Sequence, residues 1–480
     1  MMIRRGTQHD TDPGRFDTSP TMIRRCETIR AVTIVVCAAG LYFGCGGDAA
    51  DRRPNVVLVV VDTLRADHLG CYGYARDTSP RIDAFATDAM LFERCFSHAA
   101  DTRYACASLL SGFLPHETGV LDDTTLGEEL VTLPEMLREH GYATAAVISN
   151  YVLRAGRGYE QGFDIFDDTM EQREQIREWP ERIAAGTTDR AIELLGELSD
   201  RPFFLWVHYQ DPHGPYAPPS GLEQVFRDDE KRLPPVEPSG SLSGRGGIPA
   251  YQQLGDQRDP DSYRARYDGE IRYVDAELAR FFDALKEADL YDDSLIILTS
   301  DHGEGMGEHD YYFAHGEYLY QHQIHVPLIV RWGDRLVGRR AEPVQHVDIV
   351  PTVLAALDID NGTAFRGADL RQRGRTDRRI LSEMKSPLVA DTQKLALVQG
   401  SAKLIHTPAT RRFELYDLAA DPDEQQDLAH DPGHAARLSD LRVALDAVRG
   451  EDRLRLAARP PAPRPTEDER EKLRSLGYVE

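Results

Sequence analysis

Residues 56–61 read Val-Val-Leu-Val-Val-Val, six consecutive aliphatic side chains, and the run stops on Asp62. Such a run has no solvent-facing side. It predicts a strand buried on both faces, the condition of a strand inside a parallel sheet. Parallel strands need helical crossovers, so the chain is constrained toward an α/β fold with helices on both faces of the sheet. In open sheets of this kind ligands bind beyond the carboxyl ends of the strands, which is where Asp62 stands. A carboxylate there is either a helix N-cap or a metal ligand, and taken alone the cap is the simpler reading. A second apolar run, Leu295-Ile-Ile-Leu-Thr-Ser300, ends on Asp301 and His302. Two strand ends of this type can converge on one divalent cation.

At 480 residues the chain can bury a large core in more than one domain. Its formal net charge of −24 argues against nucleic acid or an anionic membrane surface as the main partner. An anionic substrate then needs a local positive centre, which a metal supplies. Residues 1–44 read as an export signal, with Met22 as an alternative start. Arg24 and Arg25 form the basic region, and 31–44 is apolar but too short to span a bilayer. Leu41-Tyr-Phe-Gly-Cys45 resembles a bacterial lipobox, in which the cysteine is acylated after cleavage. Lipidation at Cys45 and a place in the periplasm or cell envelope, tethered by the lipid, are therefore expected. Tyr42 and Phe43 are bulkier than usual there, and a plain signal peptide is the alternative. Cys26 and Cys37 would leave with the signal; Cys71, Cys95 and Cys106 remain and read as buried free thiols, not as a disulfide scaffold.

Residues 45–54 form a polar linker, and 55–372 carry the alternating elements of the main domain. Strands are expected at 90–97, 143–149, 203–207 and 326–330, and helices at 81–88, 107–112, 130–140, 189–198, 263–288 and 348–357. The strand at 203–207 delivers His208, Asp211 and His213. Residues 218–261, rich in Pro, Gly and charge, predict a long loop of the kind that borders substrate sites. From 373 the pattern shifts to short strands at 380–384, 395–399, 403–407 and 413–418, then a helix at 434–448. Residues 373–450 thus form a C-terminal subdomain with a small antiparallel sheet, followed by a Pro-rich tail with a short helix at 451–480.

With these residues in view the chain resembles the sulfatase family, within the alkaline-phosphatase-like superfamily. The similarity runs from about Pro54 to the C-terminus. It rests on Arg53-Pro-Asn55, Asp62-Thr-Leu-Arg-Ala-Asp67, Ala107-Ser-Leu-Leu-Ser-Gly112, His140-Gly-Tyr-Ala-Thr144 and His208-Tyr-Gln-Asp-Pro-His213. Ser300-Asp-His-Gly-Glu304, Val326-Pro-Leu328, His346-Val-Asp-Ile-Val-Pro-Thr352 and Glu414-Leu-Tyr-Asp-Leu418 continue it in order. The resemblance implies a mostly parallel sheet sandwiched by helices and hydrolysis of sulfate esters, with a small-molecule or glycan sulfate ester as partner. It implies that Asp62, Asp301 and His302 bind one divalent metal, and that His213 contacts the transferred oxyanion with His208 and His315 as neighbours. Many relatives place a second Asp beside the first, where this chain has Thr63.

The departure from the family lies at the nucleophile. The best-known sulfatases carry Cys-x-Pro-x-Arg, whose Cys becomes formylglycine. Aligned on Ala107–Gly112, the Cys slot holds Thr102, the Pro slot Tyr104 and the Arg slot Cys106, so no formylglycine is expected. The Gly-Lys-x-His segment of the family falls on 148–151, which has no Lys. A threonine hydroxyl can serve as nucleophile when a metal or a neighbouring base activates it. That opens a phosphodiesterase or phosphonate hydrolase as an alternative activity. The other alternative is a non-catalytic binding protein in which Thr102 is only a helix N-cap. Oxygen ligands suit Ca²⁺ or Mg²⁺, and an imidazole shifts preference toward Mn²⁺ or Zn²⁺, so the metal stays open among these four. Asp211, His213 and His315 offer a second metal set for a phosphate-type site. Of the dense histidines His309, His315, His322 and His325, His315 is the expected site residue. Asp348 is expected to cap a helix.

Overall fold

The computed structural model describes residues 53–456, apart from 123–124, 175, 199, 228–232, 334, 361, 375 and 386–392. The export segment, Cys45 and the tail beyond Leu456 with its short helix lie outside the described residues. In chain order the strands are β1 (Asn55–Val61), β2 (Met90–Phe96), β3 (Ala143–Ile148), β4 (Ile165–Asp167), β5 (Gln172–Arg173), β6 (Pro180–Glu181), β7 (Phe203–Tyr209) and β8 (Ser294–Ser300). They continue with β9 (His325–Arg331), β10 (Gly338–Arg340), β11 (Val344–Gln345), β12 (Arg379–Met384), β13 (Lys394–Gln399), β14 (Ala402–Thr407) and β15 (Arg412–Asp417).

The aliphatic run of β1 takes a central place, parallel to β7 on one side and β8 on the other. The full order is β10-β2-β9-β8-β1-β7-β3-β4, with β11 also beside β2. β9 runs antiparallel to both its neighbours, and the remaining pairs are parallel. The run has no polar residue because both faces are covered. Val56, Leu58 and Val60 join a core with Leu109 and Leu110 of the Thr102–Ser111 helix and Val350 and Val353 of the Ile349–Ala356 helix. Val57, Val59 and Val61 join the opposite core with Leu194 of the Ala184–Leu198 helix and Val274, Leu278 and Phe281 of the Pro260–Glu287 helix. All seven residues of β1 are buried.

β12 to β15 form an antiparallel meander. Its period-two pattern divides between two partners. Leu381, Leu397, Leu404 and Leu415 pack with Leu441 and Leu445 of the Ala435–Leu456 helix, whereas Ile380, Val398, Ile405 and Tyr416 join the main core. The buried Lys403–Glu424 ion pair, Nζ to Oε1 at 2.7 Å, lies within the meander region, and Glu424 links it to the segment leading into β9 by accepting the Gln321 backbone N–H. Asp348 stands at the N-cap of the Ile349–Ala356 helix but, contrary to expectation, its side chain does not cap that helix, because its carboxylate is taken by the Gln345 N–H of the preceding turn, the Ala368 N–H and the guanidinium of Arg378. Cys95 and Cys106 are buried free thiols, but Cys71 is only half-buried, because the loop that carries it lies at the sheet margin. The expected loop at 218–261 contains the short helix Leu222–Val225 and the turn Ala250–Gln252, and Gln252 reaches the chain after β7 through Tyr216 N–H.

Candidate active site

Because β1, β3, β7 and β8 are mutually parallel, the segments that follow them meet on one edge of the sheet. Register brings the key residues level. Val61 pairs with Ser300 and Val60 with His208, so Asp62, Asp301 and His208 become neighbours although their strands are far apart in sequence. Asp62, His208, Asp301 and His302 are fully buried. His302 Nε2 lies 3.6 Å from Asp301 Oδ2 and 3.9 Å from Asp62 Oδ1. His302 Nδ1 sits 2.9 Å from the Gly303 carbonyl, which selects the Nδ1–H tautomer and leaves the Nε2 lone pair facing the carboxylates.

The turn after Asp62 is strained. Thr63 takes φ +55°, a rare conformation for a β-branched residue. It aims the Thr63 N–H at Asp301 Oδ1 over 3.2 Å, and the next N–H, of Leu64, reaches Ser300 Oγ at 2.9 Å. Asn150, placed by β3, donates from Nδ2 to Asp62 Oδ2 at 2.6 Å. One oxygen of each carboxylate is thereby held, while Asp62 Oδ1 and Asp301 Oδ2 have no hydrogen-bond partner among the described residues. Burial, and then the adjacent Asp301, push the pKa of Asp62 well above the ordinary carboxylate range. Burial acts the same way on Asp301, but His302 and His208 outweigh it and hold Asp301 below its usual value. Two buried carboxylates with free oxygens beside an imidazole lone pair are a donor set that fits a divalent cation, which would relieve their mutual repulsion. Asp62, Asp301 and His302 each offer one ligand atom within 4.8 Å of the others.

Thr102 enters from the other side. Its Oγ1 lies 3.2 Å from His302 Nε2. Thr102 is the first residue of its helix and not the cap: Asp101 occupies the cap position, its carboxylate accepting the Arg103 N–H. The helix starts five residues before the expected 107, because Asp101 ends the extended chain and Tyr104, Ala105 and Cys106 are already buried. The Arg103 N–H taken by Asp101 is also withdrawn from any oxyanion. The hydroxyl of Thr102 is thus free of a capping duty and turned toward the His302 imidazole.

His213 and His315 stand nearer the surface, at the mouth. The His315 ring is 4.4 Å from that of His302 and 5.0 Å from that of His213. Burial lowers the pKa of His213, and His315 adds to this. His315 is only partly buried; desolvation acts to lower its pKa as well, but Glu304, whose Oε1 lies 3.3 Å from Nδ1, raises it above its ordinary value. The other loop histidines go elsewhere: His309 stacks on Tyr320 at 3.6 Å, and His325 Nε2 lies 2.9 Å from the Glu93 carbonyl. His208 sits on the floor beside Asp301 rather than with the His213–His315 pair. Asp211 is not brought to His213 and His315. It lies among Glu277, Glu270 and Glu181, and burial pushes its pKa up to about 6. The sequence gives no direct sign of Asn150, Glu304 or Asp101 as partners. Only their positions directly after strand ends or before a helix could have flagged them.

A mostly parallel sheet covered by helices, with carboxylates and imidazoles gathered at its carboxyl edge and a four-stranded meander after it, defines an alkaline-phosphatase-like α/β protein. The sulfatase family model matches residues 54–359, and the N-sulphoglucosamine sulphohydrolase C-terminal model matches 307–451. The chain belongs to the sulfatase family, and it is an enzyme of the sulfuric ester hydrolase class. It is 23% identical to the Delta 4,5-hexuronate-2-O-sulfatase of Bacteroides thetaiotaomicron over 84% of this chain and 90% of that protein. A solved structure in complex with its substrate D-glucosamine-2-N,6-O-disulfate superposes with a TM-score of 0.70 at 20% identity, covering 83% of this chain and 98% of the other. The phosphonate monoester hydrolase of Agrobacterium radiobacter superposes with a TM-score of 0.68 at 22% identity, covering 83% and 96%. Proteins of the family generally use a metal ion.

Proposed function

We propose that this protein hydrolyses sulfate monoesters, glycan sulfates among them, with Thr102 as nucleophile in place of formylglycine. The observation that carries the reading is the 3.2 Å approach of Thr102 Oγ1 to His302 Nε2, at the point where Asp62 and Asp301 present free oxygens. Asp62, Asp301 and His302 would hold one divalent cation. Such an ion, when bound, lowers the pKa of a neighbouring hydroxyl and draws charge from the oxyanion.

The chain's own groups do the rest. Thr102 Oγ1 attacks sulfur and gives up its proton to the His213–His315 pair, the ester S–O bond breaks, and the sulfuryl group passes to threonine. His213 and His315 hydrogen-bond the sulfuryl oxygens at the mouth, and one of them returns a proton to the departing alkoxide. Water then cleaves the sulfothreonine, releasing hydrogen sulfate and restoring the hydroxyl. Glu304 orients the His315 ring through Nδ1. The sulfate-ester relatives favour this substrate class. The presence of Thr102 favours a second reading, a phosphodiester or phosphonate ester as substrate. Turnover of the purified, metal-loaded protein on an aryl sulfate, an aryl phosphate and an aryl phosphodiester separates them. Fastest turnover on the sulfate is expected, fastest turnover on the phosphodiester supports the second reading, and none on any of them speaks for a binding protein.

The motif at Cys45 supports export and lipid anchoring as part of the same proposal. Labelled fatty acid should enter the wild type and not Cys45→Ala; label in neither would mean a plain signal peptide.

A further inference from the structure

Cys106 lies one helical turn beyond Thr102, and side chains four residues apart share a face of a helix. It therefore meets the same buried floor as Thr102. Its sulfur, a ring nitrogen of His208 and a carboxylate oxygen of Asp301 lie within 4.8 Å of one another, and all three residues are fully buried. His208 is the residue that asks for an explanation. Among the described residues neither of its ring nitrogens has a hydrogen-bond partner, and its Nε2 lies 4.0 Å from Asp301 Oδ2, too far for a hydrogen bond. Asp301 Oδ2 is likewise without a hydrogen-bond partner among the described residues. Buried polar groups in folded proteins are normally satisfied, so an imidazole and a carboxylate oxygen left open beside a thiol point to a missing partner that accepts lone pairs.

We propose that Cys106, His208 and Asp301 form a second cation site, beside the Asp62–Asp301–His302 set and with Asp301 common to both. Its chemistry differs from that of the first. A thiolate, an imidazole and a carboxylate are the donors zinc prefers, whereas the first set is dominated by oxygen and suits harder ions too. Three protein ligands leave a fourth position open, the arrangement of catalytic rather than structural zinc. The proposal does not depend on whether the ester is a sulfate or a phosphate.

The test uses the full-length protein, stripped of metal by chelation and reloaded with Zn²⁺ or with Co²⁺, the bound metal being counted by mass spectrometry. Two equivalents of zinc are expected in the wild type and one in Cys106→Ser and in His208→Ala. The cobalt form should show sulfur-to-cobalt charge-transfer absorption that vanishes in Cys106→Ser and persists in Asp62→Ala. The Asp62 variant thus reads failure of the first site separately. Equal zinc content in wild type and folded Cys106→Ser, or a wild-type cobalt protein without the charge-transfer band, overturns the proposal. Should Cys106→Ser misfold, Cys106→Ala and the wild-type cobalt spectrum carry the decision.

Discussion

Thr102 and Asn150 show how single side chains define this site. The bland role for Thr102, a helix cap, is filled by Asp101, so the threonine hydroxyl has no structural duty at that position. Thr102→Ala should lower kcat by at least on the order of 1000-fold while leaving the fold intact, and the tryptic peptide containing Thr102 should carry unmodified threonine. Activity retained by the alanine variant, or an aldehyde mass on that peptide, would contradict the assignment. Asn150 acts one step further out. Its amide holds Asp62 Oδ2, leaving Oδ1 to face Asp301 and His302. Removing a group that orients a ligand typically costs about 10–100-fold in metal affinity. Asn150→Ala should show a loss of that size in a metal titration monitored by calorimetry, with Asp62→Ala losing far more; an unchanged affinity would leave Asn150 a bystander.

Between elements, polar contacts decide orientation where apolar packing only sets distance. The Pro80–Thr87 helix receives no side-chain cap from its own N-cap residue Ser79. Asp275, in the Pro260–Glu287 helix, supplies it instead, accepting the Arg81 N–H at 2.9 Å and the Ile82 N–H at 2.8 Å. Burial pushes the pKa of Asp275 up to about 6, the two N–H donors only partly opposing this. A folded-state pKa above the unfolded value means that the folded state binds the proton more tightly. The corresponding stability is present below about pH 4 and is lost as pH rises through about 6. Asp275→Asn keeps an acceptor oxygen but has no charge to bury. Relative to wild type it should gain on the order of 1 kcal/mol between pH 4 and pH 7, read from urea unfolding at each pH. A stability difference that does not change with pH would refute this.

At the scale of the whole molecule, the site joins the ends of the adjacent strands β1 and β8 to the Thr102–Ser111 helix packed on one face of the sheet. A cation bound there at 100 times its Kd stabilises the native state by about 2.7 kcal/mol. Chelation should therefore lower the melting temperature by a few degrees, and adding back the metal should restore it. Identical melting curves with and without chelator would argue that the carboxylates are held by the protein alone. The C-terminal meander is part of the same body through the Lys403–Glu424 pair and the Gln321 contact, so it braces the loop that carries His315.

Much of this architecture is legible in the chain itself. The strands of a covered parallel sheet are unbroken aliphatic runs, so β1, β7 and β8 stand out, and so do Asp62, His208, Asp301 and His302 at their ends. The meander is legible for the same kind of reason, a period-two pattern broken by short turns. Helix starts were less so: the Thr102–Ser111 helix begins early because Asp101 caps it and the core already covers its first turn. What required the folded molecule is every relation between polar residues distant in sequence. Strand register alone sets Val61 against Ser300 and so brings Asp62 to Asp301. Tertiary packing alone turns Asp211 toward Glu277 and away from His213, puts Asn150 on Asp62, and stands Cys106 against an unpartnered His208. Hydrophobic burial repeats along the chain with a period that can be read, whereas a hydrogen bond or a shared ion depends on where two single side chains end up in space, and that has no period.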